Sequence, residues 1–166
     1  MFKKILIANR GEVAVRIIGT CRRLGIRTVA VFSEVDSSSL HVKQADESFF
    51  IGESNPANSY LRIEKILDAA KEKGCEAIHP GYGFLSENSE FARQCSSSGI
   101  IFIGPSAEAI KLMGEKDRAK REMEKAGIPV VPGYFGEKQS KKFLIKEAEK
   151  IGYPLIIKAI LGGGGK

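Results

Sequence analysis

Metal-binding and nucleophilic chemistry are poorly served by this sequence. Cys21, Cys75 and Cys95 are its only cysteines; they stand far apart and match no metal-ligand spacing. An odd count without a secretory leader fits reduced thiols in a cytosolic or organellar-matrix setting. His79 has no second histidine or carboxylate at ligand spacing, so no metal site is expected. Ser86 lies in no G-x-S-x-G turn and the cysteines lack a paired histidine, which leaves no nucleophile with its base. No G-x-G-x-x-G follows the first apolar run, and the G-x-x-x-x-G-K-[ST] loop is absent too. The first absence speaks against a dinucleotide-dependent oxidoreductase and the second against a P-loop enzyme. Long apolar runs are missing as well. The opening "MFKKILIANRG" offers only "ILIA", too short for a signal-peptide core or a membrane span, and it reads as a first strand. No transit peptide is visible, so an organellar protein with this sequence would be in its mature form.

What is present is ordinary for a globular chain: 43% hydrophobic and 28% charged residues over 166 positions. The net charge of +6 would admit an anionic partner. Its lysines and arginines are spread along helix-like stretches, however, which reads as solvated helix faces; neither a nucleic acid nor a membrane is expected as partner. The first hundred residues alternate in pattern. "KILIA" (4–8), "RTVAVFS" (27–33), "SFFIG" (48–52), "CEAIHPG" (75–81) and "IIFIGPS" (100–106) are compact apolar runs. Between them lie "GEVAVRIIGTCRRLG", with Val13, Ile17, Cys21 and Leu24 at helical intervals, and "SYLRIEKILDAAKEKG", with Leu61, Ile63, Ile66, Leu67 and Ala70 on one stripe. A helix-like "NSEFARQCSSSG" precedes the last run. Uniformly apolar strands separated by amphipathic helices predict an α/β fold, a parallel Rossmann-like sheet with helices on both faces. Such a sheet binds ligands beyond the carboxyl ends of its strands.

Beyond Pro105 the pattern changes. Two helical stretches broken at Gly114, the amphipathic "SKKFLIKEAEKIG" and a final buried strand "YPLIIKAI" lead into four glycines. The boundary is placed at 113/114. The remaining fifty or so residues, with one strand pair and one unfinished loop, are too few to close a core of usual domain size, so the chain reads as cut.

Three turns sit at the carboxyl ends of predicted strands: "ANRGE" (8–12), "HPGYGFLSE" (79–87) and "GPSAEA" (104–109). The middle one is long and aromatic for a connector. Tyr82 and Glu87 are its candidate substrate-facing groups, Ser86 or Asn88 can cap the next helix, and His79 reads as a hydrogen-bonded core histidine. At the other end Gly162–Gly165 bring backbone N–H groups without side chains, and Lys158 a point charge in front of them. That pattern suits a phosphate, although four glycines also make a flexible linker. Lys116, just past Gly114, is on its residues alone one more lysine on a charged helix.

"KILIANRGEVAVRI", "HPGYGFLSEN", "IIFIGP", "LMGEKDRAK", "GIPVVPGY" and "IGYPLIIKAILGGGGK" follow one another as in biotin carboxylases, and the resemblance covers the whole chain. It implies an N-terminal pre-ATP-grasp domain (1–113) followed by an incomplete ATP-grasp segment (114–166). The reaction implied is ligase chemistry: ATP activates bicarbonate as carboxyphosphate, and the carboxyl group passes to biotin carried on a partner domain. The family pattern puts Lys116 and Lys158 on the nucleotide, makes Gly164 and Gly165 phosphate contacts in a mobile flap, and sets Tyr82 and Glu87 beside the cleft where biotin arrives. Implied partners are a biotin carboxyl carrier domain and a carboxyltransferase subunit. A homodimer is also implied, with the basic face of Arg16, Arg22 and Arg23 as one surface. The compartment would be cytoplasm in a bacterium or the mitochondrial matrix for a mature eukaryotic form.

Two departures qualify the match. Simple bacterial biotin carboxylase subunits usually read S-G-G-G-G-G-R-G in the loop, whereas this chain reads "ILGGGGK", which is more like the α-subunits of acyl-CoA carboxylases, methylcrotonyl-CoA carboxylase especially. The family's Mg²⁺-binding carboxylates, adenine pocket, bicarbonate site and catalytic base fall downstream, so no catalytic residue is expected in this segment and the 166 residues alone are expected to be inactive. The alternative is a non-catalytic binding or assembly module that keeps the N-terminal fold.

Overall fold

The structure, a computed structural model, describes residues 1–114, 116–134 and 136–157, with the backbone alone at 116 and 117. It divides into two compact units, residues 1–111 and 112–166.

The first unit is a five-stranded parallel sheet in the order β3-β2-β1-β4-β5. Its strands are β1 (Lys4–Ile7), β2 (Arg27–Ser33), β3 (Glu47–Gly52), β4 (Ala77–His79) and β5 (Ile101–Phe102). The helices between them are α1 (Gly11–Arg23), α2 (Leu40–Gln44), α3 (Ile63–Glu72) and α4 (Ser89–Ser97), with α5 (Ala107–Gly114) following β5. Strand side chains alternate between faces. Leu6, Val29, Val31 and Ile78 pack on one side with Ile66, Leu67 and Ala70 of α3 and Phe91 and Cys95 of α4. Ile5, Ile7 and Ala77 turn to the other side, against Ala14, Ile18 and Cys21 of α1. Each fully buried Leu or Ile contributes about 1.5–3 kcal/mol, so these two layers hold the sheet. The three cysteines are buried free thiols; burial pushes Cys75 and Cys95 up to about 11.

At the foot of the sheet Glu47, on edge strand β3, takes Lys4 at 3.0 Å, Arg27 at 3.0 Å and Lys73 at 3.6 Å. The Lys4 hydrogen bond and these cations hold its carboxyl below the ordinary range.

Three expectations shift. The stripe on α1 is rotated, with Ala14, Ile18 and Cys21 buried and Leu24 exposed beyond the helix end. Helix α3 begins at Ile63, not at Ser59, because Tyr60 leaves the helical path to bury its ring and hydroxyl elsewhere. Helix α2, five residues without a long apolar stripe, was not anticipated.

The second unit holds α6 (Lys116–Lys125) and α7 (Lys141–Ile151), so helices end at Gly114 and resume at Lys116 as the break predicts. The final buried strand is not seen over 153–157: no strand forms there, and Ile156 and Ile157 are 80% and 91% exposed. Among the described residues of this unit no other strand exists to pair with it, and a lone strand leaves its backbone groups to solvent.

Candidate functional site

Helix α1 leaves β1 toward one face of the sheet and α4 follows β4 on the other. Adjacent strands whose connections part in this way open a crevice at their carboxyl ends, the usual ligand position of open α/β sheets. The turns after β1 and β4, "ANRGE" and "HPGYGFLSE", flank it.

Asn9 ties them together. Its buried amide donates to the carbonyl oxygens of Pro80 at 2.7 Å and Tyr82 at 2.9 Å, while its own oxygen accepts from the Arg10 N–H at 2.9 Å. Gly81 and Gly83 take left-handed backbone angles, φ +66° and +72°. Gly81 has a second reason to be glycine: a Cβ there would stand 2.6 Å from Asn9 Nδ2 and 2.7 Å from Val13 Cγ1. Phe84 is left-handed as well, at φ +43°, a costly choice for a bulky residue. Its ring stacks on Tyr60, centroids 5.0 Å apart and planes 12° from parallel.

Tyr60 links the loop to a polar cluster behind the crevice. Its hydroxyl donates to Asp36 at 2.8 Å; Ser33 Oγ donates to the same carboxylate at 2.9 Å and Arg10 at 3.0 Å. Burial alone would raise the Asp36 pKa, but the donors from Tyr60 and Ser33, with the Arg10 charge, hold it below the usual carboxylate range. Burial and the neighbouring carboxylate drive the Tyr60 phenol far up. Arg10 also lies 5.8 Å from the Tyr60 ring centroid, within cation–π range. His41, on α2, is wholly buried beside this cluster; Nε2 meets the Val31 carbonyl at 3.3 Å and Nδ1 has no partner. Burial keeps it below its ordinary pKa and hence neutral.

His79 is the hydrogen-bonded histidine expected, its Nδ1 accepting from the Gly81 N–H at 3.0 Å, with burial lowering its pKa. Asn88 caps α4 by accepting from the Phe91 N–H at 2.9 Å, and Ser86 does not take that place. Tyr82 stands exposed on the loop after β4, its hydroxyl hydrogen-bonded to Glu12 in the first turn of α1. That bond raises the phenol's pKa, while the Arg16 charge one turn further along acts the other way. Glu87 is exposed near the end of the same loop. The side chain of Lys116, and all of Lys158, Gly164 and Gly165, lie outside the described residues. Among those described, no group of three or more His, Cys, Asp or Glu could hold a metal ion, and no helix is long and apolar enough to cross a membrane.

Sequence reasoning missed Asn9, Arg10, Asp36 and Tyr60 as the frame of this site. Asn9 and Arg10 sit in the "IANRGE" stretch that carries the resemblance; Asp36 was lost in a polar segment and Tyr60 in an expected helix.

A doubly wound parallel sheet with two interlocked turns over its switch point defines a ligand-binding α/β protein. Residues 1–110 match the model of the biotin carboxylase N-terminal domain, and residues 115–166 that of the carbamoyl-phosphate synthase L chain ATP-binding domain. The mitochondrial methylcrotonoyl-CoA carboxylase subunit alpha of Dictyostelium discoideum is 60% identical over 98% of this chain. Biotin carboxylase 1 of Bacillus subtilis is 55% identical over 100%. The chain spans 23% and 37% of the lengths of these two relatives. Among solved structures, the biotin carboxylase domain dimer of Hydrogenobacter thermophilus 2-oxoglutarate carboxylase, in complex with MgADP, ADP and bicarbonate, superposes with a TM-score of 0.90. It is 53% identical, with 100% of this chain and 36% of that one covered. The chain belongs to the biotin carboxylase family and carries its N-terminal domain and the start of its ATP-binding domain.

Proposed function

We propose that the protein carrying this segment carboxylates carrier-linked biotin with bicarbonate at the expense of ATP. The observation that carries the reading is collinearity: two family models match in order, and identities of 53–60% run through essentially the whole chain. In this reading residues 1–113 form the pre-ATP-grasp domain and 114–166 open the ATP-grasp domain. Lys116, Lys158, Gly164 and Gly165 are the nucleotide contacts. Two ammonium groups and glycine N–H donors are a donor set that suits phosphate oxygens. ATP supplies the phosphoryl group that activates bicarbonate; the lysines orient and neutralise its phosphates. The reading assigns Mg²⁺ no ligand in this segment, because the family's metal-binding carboxylates fall downstream of it. Tyr82 and Glu87 border the approach of biotin, on the loop that Asn9 holds over the crevice.

A carrier domain and a carboxyltransferase subunit are the proposed partners, with self-association as in the dimeric Hydrogenobacter domain. The compartment is bacterial cytoplasm or mitochondrial matrix. Relatives named for methylcrotonoyl-CoA, propionyl-CoA and 2-oxoglutarate carboxylation match nearly equally well, which fits a shared biotin-charging half with the acceptor chosen elsewhere. The reading leans to an acyl-CoA carboxylase on the "ILGGGGK" loop.

The test is bicarbonate-dependent ATP hydrolysis with free biotin by the full-length protein, with Lys116→Ala and Lys158→Ala raising the KM for ATP at least tenfold, about 1.4 kcal/mol of lost phosphate contact. Absence of biotin-dependent turnover in the full-length protein would overturn the reading. The 166 residues alone are expected to show none.

A further inference from the structure

Tyr82 is held in an unusual way for an exposed residue. Its backbone is fixed from below, where Asn9 Nδ2 grips its carbonyl at 2.9 Å between two left-handed glycines. Its side chain is 62% exposed, and among the described residues its ring stacks on no other aromatic, so packing does little to choose its rotamer. Among the described residues its far end is held by the bond from the hydroxyl to Glu12. Asn9 and Glu12 belong to the same turn, "ANRGE", seventy residues earlier in the chain and on the opposite side of the switch point. That turn therefore clamps Tyr82 at both ends, across the crevice into which a ligand would enter.

We propose that Glu12 is a positioning residue: its carboxylate accepts from the Tyr82 hydroxyl and holds the phenol ring in the orientation that meets biotin. The inference rests on the reading of Tyr82 as a biotin-side residue. An unanchored tyrosine samples several χ1 and χ2 wells, and a ligand that needs one of them binds more weakly by the fraction of time the ring is elsewhere. The carboxylate also sits in the first turn of α1, where an acid favours the helix. A purely helical role would alter stability and leave biotin binding untouched.

The experiment is steady-state kinetics of the full-length protein with free biotin, on Glu12→Ala, Glu12→Gln, Tyr82→Phe, Tyr82→Ala and the Glu12→Ala/Tyr82→Phe pair. Tyr82→Ala removes the ring and reports on the underlying reading. Glu12→Ala and Tyr82→Phe each remove only the anchor. Each is expected to raise the KM for biotin by about three- to tenfold, as loss of one hydrogen bond to a charged acceptor at an exposed site would, with the KM for ATP unchanged. The pair should be no worse than either single change, since both delete the same bond. Glu12→Gln keeps an acceptor oxygen and should restore most of the affinity. A second readout needs no turnover: in Cζ-labelled protein the Tyr82 phenol should titrate at lower pH once Glu12 is alanine. If Tyr82→Ala raises the biotin KM while Glu12→Ala does not, or if the two anchor losses add, the clamp is wrong and the loop reading stands. If Tyr82→Ala itself leaves the biotin KM unchanged, the loop reading falls and the clamp with it.

Discussion

Asp36 accepts four side-chain hydrogen bonds, from Tyr60, Ser33, Ser39 and the charged Arg10, while burial pulls its titration the other way. Tyr60→Phe removes one donor and keeps the ring that stacks on Phe84. It should lower stability by about 1–3 kcal/mol, the usual cost of a lost bond to a charged group, read from urea denaturation at neutral pH. The two histidines set a pH dependence. His41 and His79 are both depressed by burial, so the folded protein keeps them neutral where the unfolded chain takes up protons. Their contribution is whole above the ordinary histidine value of about 6.5 and is lost as pH falls through the lower folded values. Asp36, depressed likewise, acts in a lower window, its contribution whole above about 3.9 and lost below. The urea midpoint should therefore drop between pH 7.5 and 5.5, and His79→Gln should reduce that drop; a flat profile would contradict the burial argument.

At the level of elements, the turn after β1 and the loop after β4 behave as one part. Gly81→Ala would need a left-handed alanine and a Cβ pressed on Asn9 and Val13. The strain and crowding together should cost about 2–4 kcal/mol, and amide exchange at Gly81–Phe84 should quicken more than in β1 or β4. Period and composition made this region legible in outline. Apolar runs at 4–8, 27–33 and 75–81 became strands because each is buried on both faces, and the glycine-rich loop stood out between them. Its wiring was not legible. Asn9 and Tyr82 meet only because β1 and β4 are neighbours in the sheet, a pairing that skips two strands and leaves no mark in local spacing. Tyr60 misled for a related reason: apolar residues around it continue a helical stripe, yet its hydroxyl finds a buried carboxylate 24 positions away. Of the candidate nucleotide residues, Lys158 and the glycines carry a phosphate pattern in the sequence itself and Lys116 rests on resemblance; the side chain of Lys116 and all of the others lie outside the described residues.

For the molecule as a whole, burial is unevenly shared. Among the described residues almost every buried side chain lies in 1–111, whereas α7 buries none and Ile128, Val131, Ile145 and Tyr153 are exposed. Limited proteolysis of the 166-residue chain should cut first within 112–157 and leave a resistant fragment ending near residue 111, seen by mass spectrometry; first cuts within the sheet would contradict this. The carboxylate of Glu47 bears on a different property of the same unit. A strand at the margin of a sheet offers unpaired amides to any extended peptide, including one from another copy. Here that margin carries a charge turned inward and already engaged by three cations from β1, β2 and the end of α3. A foreign strand seated there would crowd that cluster and strip water from it, so the margin discourages the growth of stacked sheets. Glu47→Val would lift that protection, and its first symptom in the full-length protein would be precipitation on refolding with activity intact in the soluble fraction.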